Sequence, residues 1–587
     1  RDPPSLNNLI QQQCCRPGGL QNWIVLATSS EREAHIMAVD PITVELLRNR
    51  ISSLMEEMDY HFYRSGYSTI VRESRDFSCV IVDPNGRLLV APWMFFHSPV
   101  YFHLVQRIKD VYGLNDLADG DVFVTNHPYE GNMPHASDMG FISPIFYEGT
   151  LVAFAATIAH KADIGGTVPG STYGSATELY QEGMMLPPIR IHRAGEPIDD
   201  IIRLISANTR SPYVVLGDIS GQIGVTRIGR KHIKEICRRF GVDTLLEAME
   251  AMIAASGREF HAALEAIPDG IGEATGYLDH DGVDETTKVK LNVKISIRSG
   301  KLHFDFTGCD PQTQGPVNLR IAMVEACVFY CLIGLIDPNL RYSDGVRDLV
   351  TFKFADRSVV SAESPRPCSS YMKCCLKLCD VILEAMEPLL PGKAIAHSGG
   401  SGGSIIVAWK GDTKPKRGNQ YEIFGSAYGA GDGADGASGA SVMLANLFAA
   451  PVEIIESEFP CRIREYSLNT DSGGAGEFRG GLNFVREYEM LEPAEIVYRA
   501  DRSIELPSGI RGGMPGGPSR FVVNPGKPDE RQMPSSARMN LPEGTTFRVN
   551  GPGGGGYGNP KKRNAEALKN DIAEGYVSEK AAKKFYR

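Results

Sequence analysis

No run in the 587-residue sequence approaches the twenty or so uninterrupted apolar residues that a bilayer-spanning helix needs, so no such helix is expected. The opening residues also lack the basic end, apolar centre and small-residue cleavage site of a secretory signal, which makes the cytoplasm the expected compartment. Twelve cysteines are too sparse for a disulfide scaffold and fit a reducing environment. Basic residues are outnumbered, with 61 Lys and Arg against 71 Asp and Glu, leaving no clustered positive surface for nucleic acid. Both the Gly-x-x-x-x-Gly-Lys-Ser/Thr phosphate loop and the dinucleotide fingerprint are missing, so this chain supplies no nucleotide site of its own. Asp432 and Asp435 sit among glycines without the twelve-residue pattern and final glutamate of a calcium loop.

The length exceeds what one hydrophobic core sustains, and two to four domains or subdomains are expected. Residues 1–36 show no sustained period and read as an N-terminal extension that is not native, with Met37 as the natural start. Residues 37–265 read as a metal-site catalytic domain, 266–395 as a β-rich and mixed α/β middle region, and 396–587 as a Gly-rich C-terminal region ending in a helix. The fold class is α/β in the mixed α+β sense, with several subdomains, mixed and antiparallel sheets, helical layers and Gly-rich loops. Locally, Val44, Leu47, Ile51, Leu54 and Met58 mark an amphipathic helix. The Asp83-Pro-Asn-Gly86 turn between Phe77–Val82 and Arg87–Val90 predicts a β-hairpin. Helices are expected over Ser98–Tyr112, 198–266 and 317–335, and strands at 288–297 and 302–306. The glycines at 398–403 and 429–439 read as packed loops near a subunit face or the active cleft.

The residues that carry chemistry concentrate early in the chain. His135 and Asp138 lie in Pro-His-Ala-Ser-Asp, and His160 closes the apolar run that starts at Leu151. Two imidazoles and a carboxylate suit a divalent ion such as zinc or manganese, and three protein ligands leave a position open for water or substrate. A histidine ending an apolar strand is more commonly a buried side chain bonded to a backbone carbonyl. The added His135-x-x-Asp138 in a turn one strand earlier favours the metal, because a hairpin would bring all three together. Asp76, at the head of a neighbouring strand, is a fourth ligand or an outer partner, with a solvated strand-end acid as the plain alternative. His127 and Glu130 flank the turn, where proton transfer and turn stabilisation are weighed evenly. The loop from Gly165 to Thr172 could turn N–H groups toward an oxyanion. Glu178 and Glu182 are candidate general bases for a metal-activated water. Cys368, Cys374, Cys375 and Cys379 lack a paired zinc spacing and read as buried thiols.

Several blocks in one order resemble the hydantoinase B family: Arg75-Asp-Phe-Ser-Cys79, Gly120-Asp-Val-Phe with Asn126-His-Pro-Tyr-Glu-Gly131, Pro134-His-Ala-Ser-Asp138, Ala159-His-Lys-Ala-Asp-Ile-Gly-Gly166 and Thr177-Glu-Leu-Tyr-Gln-Glu-Gly183. Asp305-Phe-Thr-Gly308, Asp471-Ser-Gly-Gly-Ala-Gly476 and Gly551-Pro-Gly-Gly-Gly-Gly-Tyr-Gly558 extend the likeness to the C-terminal part. The family includes B subunits of ATP-dependent hydantoinases and lactamases, half of 5-oxoprolinases, and metal-bearing subunits of ketone carboxylases. The resemblance implies a heterotetramer or larger heteromer with a hydantoinase A-like subunit that holds ATP and Mg. It also implies that His135, Asp138 and His160 are metal ligands. Position 127 departs from the commoner Asn-Asp-Pro-Tyr. The implied reaction is ATP-dependent opening of a lactam or hydantoin through a phosphorylated amide oxygen. A ketone carboxylase is the alternative, and a non-catalytic assembly subunit is the reading from another class.

Overall fold

Asp40 opens the first helix, its carboxylate accepting from the N–H groups of Ile42 at 2.9 Å and Thr43 at 3.3 Å, with Pro41 pre-set at the first helical position. This is the start of the computed structural model's account, which describes residues 39–401, 403–409 and 419–587. The reading of residues 1–36 as an extension lies outside the described residues. Helix α1 (Pro41–Ser65) buries Leu47, Ile51, Leu54, Met58 and Phe62, the stripe its spacing predicts. At about 1.5–3 kcal/mol for each large apolar side chain removed from water, that stripe anchors the helix. Helices α2 (Ser98–Tyr112), α3 (Asp199–Ala207), α4 (Pro212–Phe240) and α5 (Val242–Glu265) follow, with the predicted 198–266 helical stretch divided among the last three. Helices α6 (Ile321–Ile336) and α7 (Tyr371–Met386) pack in the middle of the chain.

The first sheet has the order β1-β4-β3-β2-β5-β6 and consists of Phe77–Val82 (β1), Val122–Thr125 (β2), Asp138–Tyr147 (β3), Thr150–His160 (β4), Ile189–Arg193 (β5) and Glu196–Pro197 (β6). β4 lies inside it, and every residue from Val152 to His160 is buried, which explains why its sequence is continuously apolar rather than alternating. The hairpin expected at 83–86 does not form. Its turn is present, yet beyond it only Val82 and Leu88 bridge, and β1 pairs with β4 instead. Asp344 captures the returning segment, accepting from Leu88 N–H at 2.8 Å while its own N–H donates to Leu88 O at 3.0 Å.

The second sheet has the order β10-β9-β8-β7, from Gly270–Leu278 (β7), Val289–Arg298 (β8), Lys301–Asp305 (β9) and Val350–Lys353 (β10). The third runs β12-β11-β15-β18 and the fourth β13-β14-β19-β16-β17. Their strands are Ser404–Trp409 (β11), Gln420–Ile423 (β12), Cys461–Leu468 (β13), Phe484–Met490 (β14), Ala494–Arg499 (β15), Arg520–Val523 (β16), Arg531–Met533 (β17), Ser536–Leu541 (β18) and Thr546–Asn550 (β19). The whole is a mixed α/β architecture of antiparallel and mixed sheets with helical layers. One apolar core extends from Leu47 to Leu444 across the first two sheets, and a second fills the space between the third and fourth. A small cluster of Ala162, Val168, Ile406, Tyr421 and Val497 fastens the third sheet onto the end of β4.

A layer of glycine segments lies beside the third and fourth sheets and is held by main-chain bonds. Gly474 N–H donates to Gly554 O at 2.8 Å, Gly554 N–H to Gly481 O at 3.0 Å, and Gly556 N–H to Met514 O at 2.9 Å. A Cβ on Gly480 would fall 2.0 Å from Gly554 O, and one on Gly554 would fall 2.0 Å from Tyr428 O. The composition is therefore a packing requirement: these backbones approach as closely as their hydrogen bonds allow. Cys368, Cys374, Cys375 and Cys379 are buried and not disulfide-bonded.

Candidate metal centre

Three strands lay the site out in a row. Asp138 at the start of β3 pairs with His160 at the end of β4, and Phe77 pairs with Ala159, which sets Asp76 beside His160 on the other side. His160 N–H donates to Asp76 O at 3.1 Å. Residues directly opposite in antiparallel strands share a face, so the three side chains project together. His135 joins from the preceding tight turn, in which Asp138 N–H donates to His135 O at 3.2 Å. Asn126 clamps that turn, its amide donating to Ala136 O at 2.7 Å and Met184 O at 2.8 Å and its carbonyl accepting from Leu186 N–H.

His135, Asp138 and His160 are buried and each offers a donor atom within 4.8 Å of the others. His135 Nε2 stands 3.4 Å from Asp138 Oδ2. Burial pushes His135 down to about 3, with Arg499 adding to the effect, and pushes His160 well below its ordinary value, with His135 and Arg499 reinforcing. Both imidazoles are thereby neutral, the form that offers a lone pair to a cation. Asp138 and Asp76 are raised, first by burial and, for Asp76, by the Asp138 charge, so burial outweighs attraction and the 3.4 Å contact is not an ion pair. Both oxygens of Asp138, both ring nitrogens of His160, His135 Nδ1 and Asp76 Oδ1 have no hydrogen-bond partner among the described residues. Each unpaired buried group costs about 1–3 kcal/mol, and their concentration at one point, with an N, N, O donor set, fits a divalent cation. Lys161, buried beneath, donates to Ala159 O at 3.1 Å and to Gln222, and its charge favours ionisation of Asp76 and Asp138.

A cavity of about 70 Å³ opens beside the triad and is bordered by Asp76, His135, His160, Tyr371, Tyr421 and Arg499. The Tyr371 ring lies 5.0 Å from that of His135, and the Tyr421 ring 4.8 Å from that of His160. Burial and the nearby Asp138 and Asp76 hold the Tyr371 phenol protonated. His97 sits behind, its Nδ1 2.8 Å from Ser78 Oγ and its Nε2 unpartnered, lowered first by burial and then by His135 and His160.

The other residues singled out in the sequence stand elsewhere. Glu178 is exposed. Glu182 is fully buried away from the cavity lining, where Oε1 accepts from Cys368 N–H at 2.7 Å and Ser369 N–H at 2.6 Å; burial raises it to about 7. It thus positions the segment that forms one cavity wall. His127 Nδ1 accepts from Tyr129 N–H at 3.2 Å and Glu130 N–H at 3.1 Å, stabilising the turn. Two N–H groups of the Gly165–Gly170 loop are taken up within the fold: Asp163 accepts from Gly165 N–H and Gly170 N–H at 3.0 Å each, together with the Arg210 guanidinium. Tyr371, Tyr421, Arg499 and His97 carried no spacing signal linking them to the triad.

The sequence profile named Hydantoinase B/oxoprolinase matches residues 40–560. An uncharacterized protein of Methanocaldococcus jannaschii is 31% identical over 561 residues, spanning 94% of this chain and 96% of its own. The beta subunit of caprolactamase from Pseudomonas jessenii is 27% identical across 92% of this chain and 94% of its own. The crystal structure of ATP-dependent caprolactamase from the same organism superimposes with a TM-score of 0.86 at 26% identity, covering 94% of this chain and 96% of that one. The nucleotide-free structure of acetone carboxylase shares the fold, with a TM-score of 0.85 at 17% identity over 93% and 79% of the two chains.

Proposed function

The chain belongs to the hydantoinase B/oxoprolinase family, and from that premise we propose that it is the metal-dependent B-type subunit of an ATP-dependent cyclic amide hydrolase acting with a hydantoinase A-like, ATP-binding partner. The observation that carries this reading is the buried His135, Asp138 and His160 set with its unpartnered donor atoms. The similarity to a caprolactamase beta subunit over nearly the full length of both chains supports the amide-cleaving branch.

His135, Asp138 and His160 would hold zinc or manganese, with Asp76 at the edge of the same cavity. When bound, such an ion supplies Lewis acidity and lowers the pKa of water. The partner transfers a phosphoryl group from ATP to the amide oxygen, making the carbon electrophilic. Water then attacks that carbon, the C–N bond breaks as a proton passes to the leaving nitrogen and the ring opens to an acyl phosphate, which a second water cleaves to the carboxylate and inorganic phosphate. In this chain, the Tyr371 hydroxyl is available as a hydrogen-bond donor to oxygen developing negative charge. The Tyr371 and Tyr421 rings shield the imidazoles from bulk water and fix their planes. Asp76, whose carboxyl is raised by burial and by the Asp138 charge, would hold or pass a proton at the edge of the cavity.

Copurification with the A-type subunit, elemental analysis and an ATP-consumption screen over lactams, hydantoins and ketones test the proposal. Bicarbonate-independent ring opening with about one metal per chain is the expected result, in keeping with a three-ligand catalytic site. Bicarbonate-dependent product from a ketone would replace it with a carboxylase, and turnover unaffected by His135→Ala and His160→Ala would leave an assembly role.

A further inference from the structure

Seven arginines among the described residues are buried, and six pair with a carboxylate: Arg48 with Glu45, Arg190 with Asp121, Arg479 and Arg563 with Asp571, Arg486 with Glu422, and Arg502 with Asp380. Arg499 is the seventh. Its Nη1 donates to Ser369 O at 2.6 Å, its Nε and Nη2 to Ser404 Oγ at 3.2 and 3.1 Å, and its Nη2 to Tyr421 OH at 2.9 Å. All are neutral acceptors, and no carboxylate lies within ion-pair distance among the described residues. Burying a guanidinium without an anion is costly, and Arg499 borders the cavity beside the triad.

Two further groups converge on that wall. Helix α7 begins at Tyr371 with Ser370 as its cap residue, and Ser370, Tyr371 and Met372 line the cavity. Ser370 is 3% exposed and its Oγ has no hydrogen-bond partner. Lys373, one turn in and buried, lines the same cavity. A guanidinium, an ammonium and a free hydroxyl, supplied by two elements, match an oxyanion with several oxygens.

We propose that Arg499, Lys373 and Ser370 at the start of α7 form a clamp for the phosphoryl group of an activated substrate, beside the triad. The inference rests on the metal-centre reading and adds to it the residues that hold the phosphoryl group. The amide carbon then faces the histidines while its phosphoryl oxygens are held opposite. The clamp positions the leaving phosphate as well, because its charge grows as the C–O bond breaks.

The test is calorimetric titration of the full chain, metal-loaded and EDTA-treated, with inorganic phosphate and, separately, with acetate. Phosphate is expected to bind more tightly than acetate, and Arg499→Gln to weaken it about 10- to 100-fold, as loss of charged hydrogen bonds predicts, with metal content unchanged. Lys373→Gln is expected to weaken it by a smaller factor and carries the test if Arg499→Gln does not fold. Phosphate affinity unchanged in either folded variant, or acetate binding as tightly as phosphate, overturns the clamp. Metal bound at the triad with phosphate indifferent to Arg499→Gln would remove the clamp alone. Arg499-dependent phosphate binding in a chain that takes up no metal would remove the metal reading alone.

Discussion

The metal corner and the glycine layer solve opposite problems. At the ends of β1, β3 and β4 the backbone is ordinary ladder and everything specific resides in side chains: four polar groups packed where polar groups are expensive. In the glycine layer the side chains are gone, and specificity resides in main-chain N–H and C=O groups a few ångströms apart. The corner therefore tolerates loss of a functional group as far as folding is concerned, since removing an unpaired buried polar group relieves a cost. The layer tolerates nothing larger than hydrogen, because an added methyl meets backbone that cannot yield.

The sharpest way to break this contrast is Gly554→Ala, whose Cβ would meet Tyr428 O at 2.0 Å. A loss of about 3 kcal/mol or more is expected, read as a lower melting temperature and poor soluble yield. His160→Ala should do the reverse: metal content near zero and ATP-dependent turnover abolished, with the melting temperature of the EDTA-treated protein equal to or above that of the parent. Asp76→Asn should weaken metal affinity by about 10- to 100-fold, the usual cost of an outer partner, in a competition titration against a chelator.

Acid sensitivity sharpens the comparison further. His135 is held at about 3 in the fold against an ordinary 6.5, so its contribution to stability is fully present above pH 6.5 and is lost as pH falls toward 3. Between pH 7 and pH 4 the melting temperature of the EDTA-treated parent should therefore drop relative to that of EDTA-treated His135→Gln, a difference that isolates this histidine from the raised carboxyls of Asp76, Asp138 and Glu182, whose contribution runs the other way. The smallest effect is expected from Glu178→Gln, an exposed position, where stability should stay within about 0.5 kcal/mol by thermal melt.

The triad was legible because its parts are local. His135, Asp138 and His160 belong to one turn and one hairpin, and an antiparallel ladder of two adjacent strands converts sequence spacing into spatial proximity. Asp76 was nearly so, sitting at the head of a strand that joins the same sheet. The opposite wall was not legible. Tyr371, Tyr421 and Arg499 arrive through packing of α7 and the third sheet against the end of β4, a contact made by scattered apolar residues such as Ile406 and Val497 with no pattern of their own. The hairpin expected after Val82 failed for the same reason: Asp344, far along the chain, outbid local turn chemistry. Glu182 looked chemical because it is an acid in a polar block, whereas its carboxylate is occupied by the N–H groups of Cys368 and Ser369.

That the two walls of one small chamber come from distant parts of the polypeptide sets an order of events during synthesis. The histidines leave the ribosome long before Tyr421 and Arg499, so the nascent chain carries an exposed ligand set with no lid. Capture of an ion at that stage would be reversible and open to the wrong element, whereas packing of the third sheet against the end of β4 would enclose whichever ion had bound. On the proposed metal reading, the choice of ion would be settled at the moment of docking between the early and late portions of the chain.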